Sequence, residues 1–305
     1  MGEGLDRFLA CDMETLTHYT DRRRGLARFG RMGRPPLVWA FISTRGFPIR
    51  FSGVENLPPH QDSALFLTPH ILHVDVATYL LSAMRARRKV VSPLAGIESF
   101  SKTWDRLQIY LCDCVTTMRH RQTESASDTA TINSHRLHSA DVAVQRLLDH
   151  RDLMIWPEGT LCPEFDSMLQ VWNGWYAIAR RALDQGAHVR LIPTVAALVP
   201  KEDYSVERAF VEFCEPFDIE GYATPTSAST ALREYLLAKK RAINEKYNPG
   251  MTAEQWSRMR DVQRIKRPTL PDYQGVGAVF SLDYHLAEKS EDPAAMQGII
   301  DRFRS

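Results

Sequence analysis

Between residues 49 and 215 short apolar runs alternate with patterns of helical period, and this alternation restricts the fold more than any other feature of the chain. Residues 49–52, 65–68, 89–92, 153–156 and 189–199 are strand-like. Residues 74–84 read as a helix, and so do residues 139–150, with Ser139 in the N-cap position. Trp172, Trp175, Tyr176, Ala179, Ala182 and Leu183 recur at i, i+3, i+4 and i+7, the spacing of an amphipathic helix that Gly186 would end. Strands that alternate with helices predict an α/β fold with a mostly parallel central sheet covered by helices.

The chain has 305 residues, enough to bury a sizeable core. Hydrophobic residues make up 44% and charged residues 25%, which excludes a disordered chain, a collagen and a coiled-coil rod. Lys and Arg number 38 against 37 Asp and Glu, so no global field favours nucleic acid as a partner. Cys11, Cys112, Cys114, Cys162 and Cys214 are an odd, scattered set rather than a disulfide framework. With no signal-peptide pattern at residues 1–6, a reducing cytoplasm is the expected compartment. The best uncharged runs, 37–42 and 191–200, fall short of the roughly 20 residues of a membrane span.

The organisation predicted is a helical lead-in over 1–45, a central domain over 46–250, and a C-terminal helix with a loop-rich tail over 251–305. Helices are expected at 230–247 and 252–264, and a mobile surface loop at 123–131, which is rich in Ser, Thr and Ala. The lead-in carries Arg22, Arg23, Arg24, Arg28, Arg31 and Arg34, followed by an apolar patch containing Trp39 and Phe41. It reads either as a membrane-surface anchor, basic residues meeting anionic headgroups, or as a helix packed on the core with a solvated basic face.

Two constellations carry chemistry. In the first, the run Leu65-Phe66-Leu67-Thr68 turns at Pro69, and His70 follows the strand end, where ligands bind in parallel α/β sheets. Asp75, five positions on, can fold back to one imidazole nitrogen and leave the other as a general base. In the second, Leu153-Met154-Ile155-Trp156 ends at Pro157, and Glu158, Gly159 and Thr160 follow. Gly159 would let a substrate approach the backbone closely.

Together, His70-x4-Asp75 and, about eighty residues later, Pro157-Glu158-Gly159-Thr160 resemble the motifs of the glycerolipid acyltransferases, the lysophosphatidic-acid acyltransferase group. Residues 51–58, Leu191-Ile192-Pro193 and residues 211–216 are similar to flanking elements of that family, and the resemblance spans roughly 37–245. It implies the glycerolipid acyltransferase fold and an O-acyltransferase activity. A fatty acyl group would pass from a thioester, on coenzyme A or acyl carrier protein, to the hydroxyl of a glycerolipid or related lipid, with no other cofactor and no metal. His70 would be the base and Asp75 its partner. Glu158, Gly159 and Thr160 would position the acceptor, Pro193 would shape the wall, and Arg119 or Arg121 would hold an acceptor phosphate. With the lead-in over 1–45 as anchor, the expected location is the cytoplasm with peripheral attachment to a membrane.

The chain departs from the family pattern at four positions. Leu161 and Cys162 stand where Arg and Ser are usual, Asn173 where Lys is common, and Pro69 where Asn is usual. Two phosphate-binding cations are thereby absent from the motifs, which leaves the acceptor open. Two other readings stay in view: a thioesterase-like hydrolase with Cys162 as nucleophile, and a non-catalytic lipid-binding member of the fold. His70-x2-His73-x-Asp75 lacks a third firm metal ligand. No Gly-x-Ser-x-Gly elbow and no P-loop occurs, and Gly275-Val276-Gly277 lacks the third glycine of a dinucleotide fingerprint.

Overall fold

The computed structural model describes residues 47–71, 73–96, 114–117, 126–159, 162 and 166–265. The strands are β1 (Ile49–Ser52), β2 (Ser63–Leu67), β3 (Val91–Gly96), β4 (Val115–Thr117), β5 (Asp152–Ile155), β6 (Val189–Pro200) and β7 (Val206–Phe213). The helices are α1 (His73–Arg87), α2 (Ala126–Leu148), α3 (Gly174–Asp184), α4 (Pro225–Tyr247) and α5 (Ala253–Ile265). They build one seven-stranded sheet in the order β1-β7-β6-β2-β5-β3-β4. Every neighbouring pair is parallel except β6 and β7. The predicted α/β class with a mostly parallel sheet is therefore the observed one.

The central strands are apolar because both their faces are covered. Every residue of β2 and of β5 is buried. Ala64 and Phe66 face one layer, where Tyr79, Leu80, Ala83 and Met84 of α1 pack with Met154, Ile192 and Phe213. Leu65 and Leu67 face the other, where α2 brings Val144 and Leu147, α3 brings Trp175 and Ile178, and α4 brings Leu232 and Leu236. On α3 the buried residues are Trp175, Ile178, Ala179 and Ala182; of the predicted stripe, Tyr176 and Leu183 are half-buried, and Trp172 precedes the helix and is exposed. Trp256 and Met259 of α5 form a third cluster with Ile71, Leu198, Val206 and Ala209.

Four local expectations change. Ser139 is not an N-cap: it lies buried inside α2, which begins at Ala126. The loop expected at 123–131 is helical from Ala126 onward, as the start of α2. α4 starts at Pro225 rather than 230, since Thr224 caps it, accepting from Ser227 N–H while Ser227 Oγ receives the Thr224 N–H. The strand expected at 89–92 is shifted to Val91–Gly96, because Lys89 is held outside the sheet by the carbonyls of Asp62 and His150. The lead-in over 1–45 and the tail beyond 265 lie outside the described residues.

The amino ends of the central strands are locked by a buried ion pair. Arg87, at the end of α1, donates from Nε to Asp152 Oδ2 at 2.9 Å, with the two side chains 3% and 0% exposed. The guanidinium also reaches the Pro58 and Asp62 carbonyls, and Asp152 Oδ1 accepts the Ala64 N–H. This joins the starts of β2 and β5 on the side of the sheet opposite the site.

Candidate active site at the carboxyl ends of β2 and β5

β2 and β5 are adjacent and parallel, and Leu67, Ile155 and Pro193 occupy one row across β5, β2 and β6. The chain leaves β2 for α1 on one face and leaves β5 for α3 on the other. Two neighbouring strands whose connections depart to opposite faces open a crevice at their carboxyl ends. His70 lies three residues beyond Leu67, and Glu158 lies three residues beyond Ile155. Equal offsets from one row bring the two motif residues together.

The contact is direct. His70 N–H donates to Glu158 Oε1 at 3.0 Å, and the His70 carbonyl accepts the Cys162 N–H at 2.8 Å. Thr68 N–H donates to the Ile155 carbonyl at 3.0 Å, carrying the β2–β5 pairing one residue past the strands. The backbone of His70 is thus pinned on both sides by the loop that follows β5.

Its ring is oriented by α1. His70 Nδ1 lies 3.2 Å from the carboxylate of Asp75, whose side chain is fully buried while that of His70 is 16% exposed. Asp75 sits in the first turn of α1, where the helix dipole favours a negative charge. Its Oδ2 also accepts the Ile71 N–H, which fixes the carboxylate relative to the turn. With Nδ1 turned to Asp75, Nε2 lies on the opposite side of the imidazole. The Trp156 ring packs beside His70 at 5.8 Å between centroids. Its indole N–H is buried and has no hydrogen-bond partner among the described residues.

Glu158 holds the site from within. It is 0% exposed, and its second oxygen accepts the Leu169 N–H at 2.8 Å. Burial raises its carboxyl above the ordinary value, opposed first by the charge of Lys240 and then by the two backbone N–H groups. Expected as an acceptor contact, Glu158 is occupied with the backbone of His70 and Leu169. Cations of α4 grip the segment that supplies Leu169. Arg233 reaches the Met168 and Leu169 carbonyls, Lys240 Nζ donates to the Ser167 carbonyl at 2.7 Å, and Arg241 Nε to that of Asp166.

Gly159 adopts φ +70°, which disfavours a side chain. A Cβ there would lie 3.4 Å from the exposed Trp172 ring. Pro193 is tolerated in a central strand because its carbonyl accepts from Cys214 N–H on the β7 side, where its missing N–H also points. The β7 ladder begins only at Thr194. Cys162, the alternative nucleophile, is 1% exposed, and its thiol lies 3.6 Å from the carbonyl and from the hydroxyl of Ser167. Thr160, Arg119 and Arg121 lie outside the described residues, as does the side chain of His73. Among the described residues no group of three or more His, Cys, Asp or Glu side chains is placed to hold a metal ion. None of the described helices is long and apolar enough to cross a membrane.

Sequence reasoning passed over Lys240, Trp156 and Tyr79. Lys240 had a signal: it falls on the stripe Ala228, Leu232, Leu236 and Ile243, where a lysine interrupts an apolar face. Tyr79, one turn after Asp75, carries a buried hydroxyl, and burial followed by the charges of Asp75 and Glu158 raises its pKa.

No protein-family model matches the chain, and no curated protein matches it. Among solved structures the chain is similar to the 1-acyl-sn-glycerophosphate (LPA) acyltransferase PlsC from Thermotoga maritima. The two share 15% identity, over 76% of this chain and 88% of that one, with a TM-score of 0.45. A likeness that distant assigns no activity to this chain.

Proposed function

We propose that this chain is an O-acyltransferase that moves a fatty acyl group from an acyl thioester to a hydroxyl of a glycerolipid or related lipid. The observation that carries the reading is the 3.2 Å contact between His70 Nδ1 and the buried Asp75 carboxylate, at a strand end beside the Pro157-Glu158-Gly159 turn. An alcohol is a poor nucleophile at neutral pH, and a base within reach of its proton contributes about 10²–10⁴-fold. His70 Nε2 takes the hydroxyl proton as the oxygen attacks the thioester carbonyl carbon. Asp75 holds the ring and stabilises the imidazolium. When the tetrahedral intermediate collapses, the C–S bond breaks and the imidazolium proton passes to the departing thiolate. The products are the ester and the free thiol, with no acyl-enzyme.

Gly159, Thr160 and Pro193 border the acceptor in this reading, with Arg119 or Arg121 as the cation for an acceptor phosphate. The basic and aromatic lead-in over 1–45 would rest on an anionic membrane surface, on its cytoplasmic side. Coenzyme A and acyl carrier protein are both suitable donors.

The test is a panel of acyl-CoA and acyl-carrier-protein donors against lysophospholipid and non-phosphorylated hydroxyl lipids, with product lipids read by mass spectrometry. Thiol release that requires an acceptor, lost in His70→Ala and retained in Cys162→Ser, supports the reading. Thiol release without any acceptor that disappears in Cys162→Ser replaces it with a cysteine hydrolase. Lipid co-purification without turnover for any pair replaces it with a binding protein.

A further inference from the structure

Lys240 is 0% exposed, although lysine is among the residues least often fully buried. Its ammonium donates to the Ser167 carbonyl. A neutral amide would serve a carbonyl as well, and removing an ammonium from water is costly. What a buried positive charge does that a neutral donor cannot is balance a buried negative one. Glu158 is a buried negative charge at the segment that Lys240 holds: it too is 0% exposed, and the charge of Lys240 opposes the effect of its burial. Two residues beyond Ser167, the Leu169 N–H binds one Glu158 oxygen, while the His70 N–H binds the other. Both oxygens accept at full strength when the carboxyl carries no proton, whereas protonation turns one of them into a donor and weakens it as an acceptor.

We propose that Lys240 is a positioning residue of the site: its ammonium ties down the Ser167 carbonyl and balances the Glu158 carboxylate, which in turn holds the backbones of His70 and Leu169. The charge is supplied from α4, far along the chain, where the Pro-Glu-Gly-Thr run itself is followed by Leu161 and Cys162. Among the described residues, the other titratable groups that face Glu158 are His70, from the β2–α1 turn, and Tyr79, from α1. Neither supplies a permanent positive charge. Arg233 engages the carbonyls of Met168 and Leu169 in the same segment.

The inference concerns the site of the proposed acyltransferase, yet it has a readout that does not need activity. Lys240→Met removes charge and donor, and Lys240→Gln keeps a donor for Ser167 while removing only the charge. Thermal unfolding of each is followed across about pH 4–8. The loss in Tm relative to wild type is expected to grow as pH rises, because Glu158 then becomes charged with no counter-charge. In a Glu158→Gln background that pH dependence is expected to vanish. If turnover is established, kcat moves the opposite way: the loss is expected to be about tenfold greater near pH 6 than near pH 8, since protonation of Glu158 becomes easier without Lys240. Lys240→Arg is expected to restore the wild-type pH profile at least in part. A Tm loss that is independent of pH, or unchanged in the Glu158→Gln background, overturns the proposal. Absence of turnover in the wild type overturns the acyltransferase reading alone and leaves the Tm test standing.

Discussion

The backbone N–H of His70 donates to Glu158 Oε1 at 3.0 Å, although the two residues are 88 positions apart in the chain. The side chain of one motif therefore sets the backbone of the other. The cost of altering either can be forecast from what each oxygen and nitrogen already holds.

Replacing His70 by Ala removes the proposed base but none of the backbone bonds that join the loops. The expected result is a loss of kcat of about 10²–10⁴-fold with Tm nearly unchanged. Steady-state kinetics and differential scanning calorimetry on the same preparation check both halves.

Asp75→Asn should behave differently. The carboxylate serves both the His70 ring and the Ile71 N–H, inside a fully buried position. An amide lacks the charge that stabilises the imidazolium, and its NH2 group replaces one of the two oxygens that lie 3.2 Å from His70 Nδ1, so both activity and stability fall, the latter by about 1–3 kcal/mol. Urea denaturation measures the second effect, and an unaltered midpoint would contradict the described contact.

Glu158→Gln leaves one of two backbone N–H groups facing an NH2 group, with an expected loss of about 1–3 kcal/mol. The wild-type carboxyl also makes a pH-dependent contribution. Its pKa is raised above the ordinary 4.5 by burial, so the folded state binds its proton more tightly than the unfolded chain. That contribution is present below the ordinary carboxylate value and is lost as pH rises through the raised one. Subtracting the Glu158→Gln Tm-versus-pH curve from that of wild type should show this decline; a difference that rises with pH would refute the sign.

Arg87→Met strands the buried Asp152 carboxylate and the carbonyls of Pro58 and Asp62. A loss of about 3–5 kcal/mol is expected, with no specific effect on the site across the sheet. Converting Asp152 to Asn together with Arg87 to Met should recover part of it, measured as a double-mutant cycle.

Gly159→Ala puts a Cβ on a backbone at φ +70° and against the Trp172 ring. Strain of about 1–2 kcal/mol is expected, together with a raised KM for the acceptor as the turn shifts. A variant with wild-type Tm and KM would mean the turn relaxes without consequence.

Much of this architecture is legible in the chain. β2 and β5 could be read because strands buried on both faces are continuous apolar runs, and α3 because its apolar residues recur at helical spacing. The His70–Asp75 contact was legible because five positions across one turn is a local relationship. The start of α2 was not, since its first residues are polar and the packing further along decides that they are helical. Nor was the role of Glu158, because nothing local tells a carboxyl at a strand end whether it will face solvent or backbone amides.

The residues near one another in the chain determined the strands, the helices and the imidazole–carboxylate pair, since these depend on period and short spacing. Which strand lies beside which, and hence that His70 meets Glu158 and that Lys240 of α4 lies within reach of that carboxyl's charge, was decided only in the folded molecule. Strand order and desolvation are products of contacts between distant segments, and a charge buried by them has its partner chosen by the fold rather than by its neighbours in sequence.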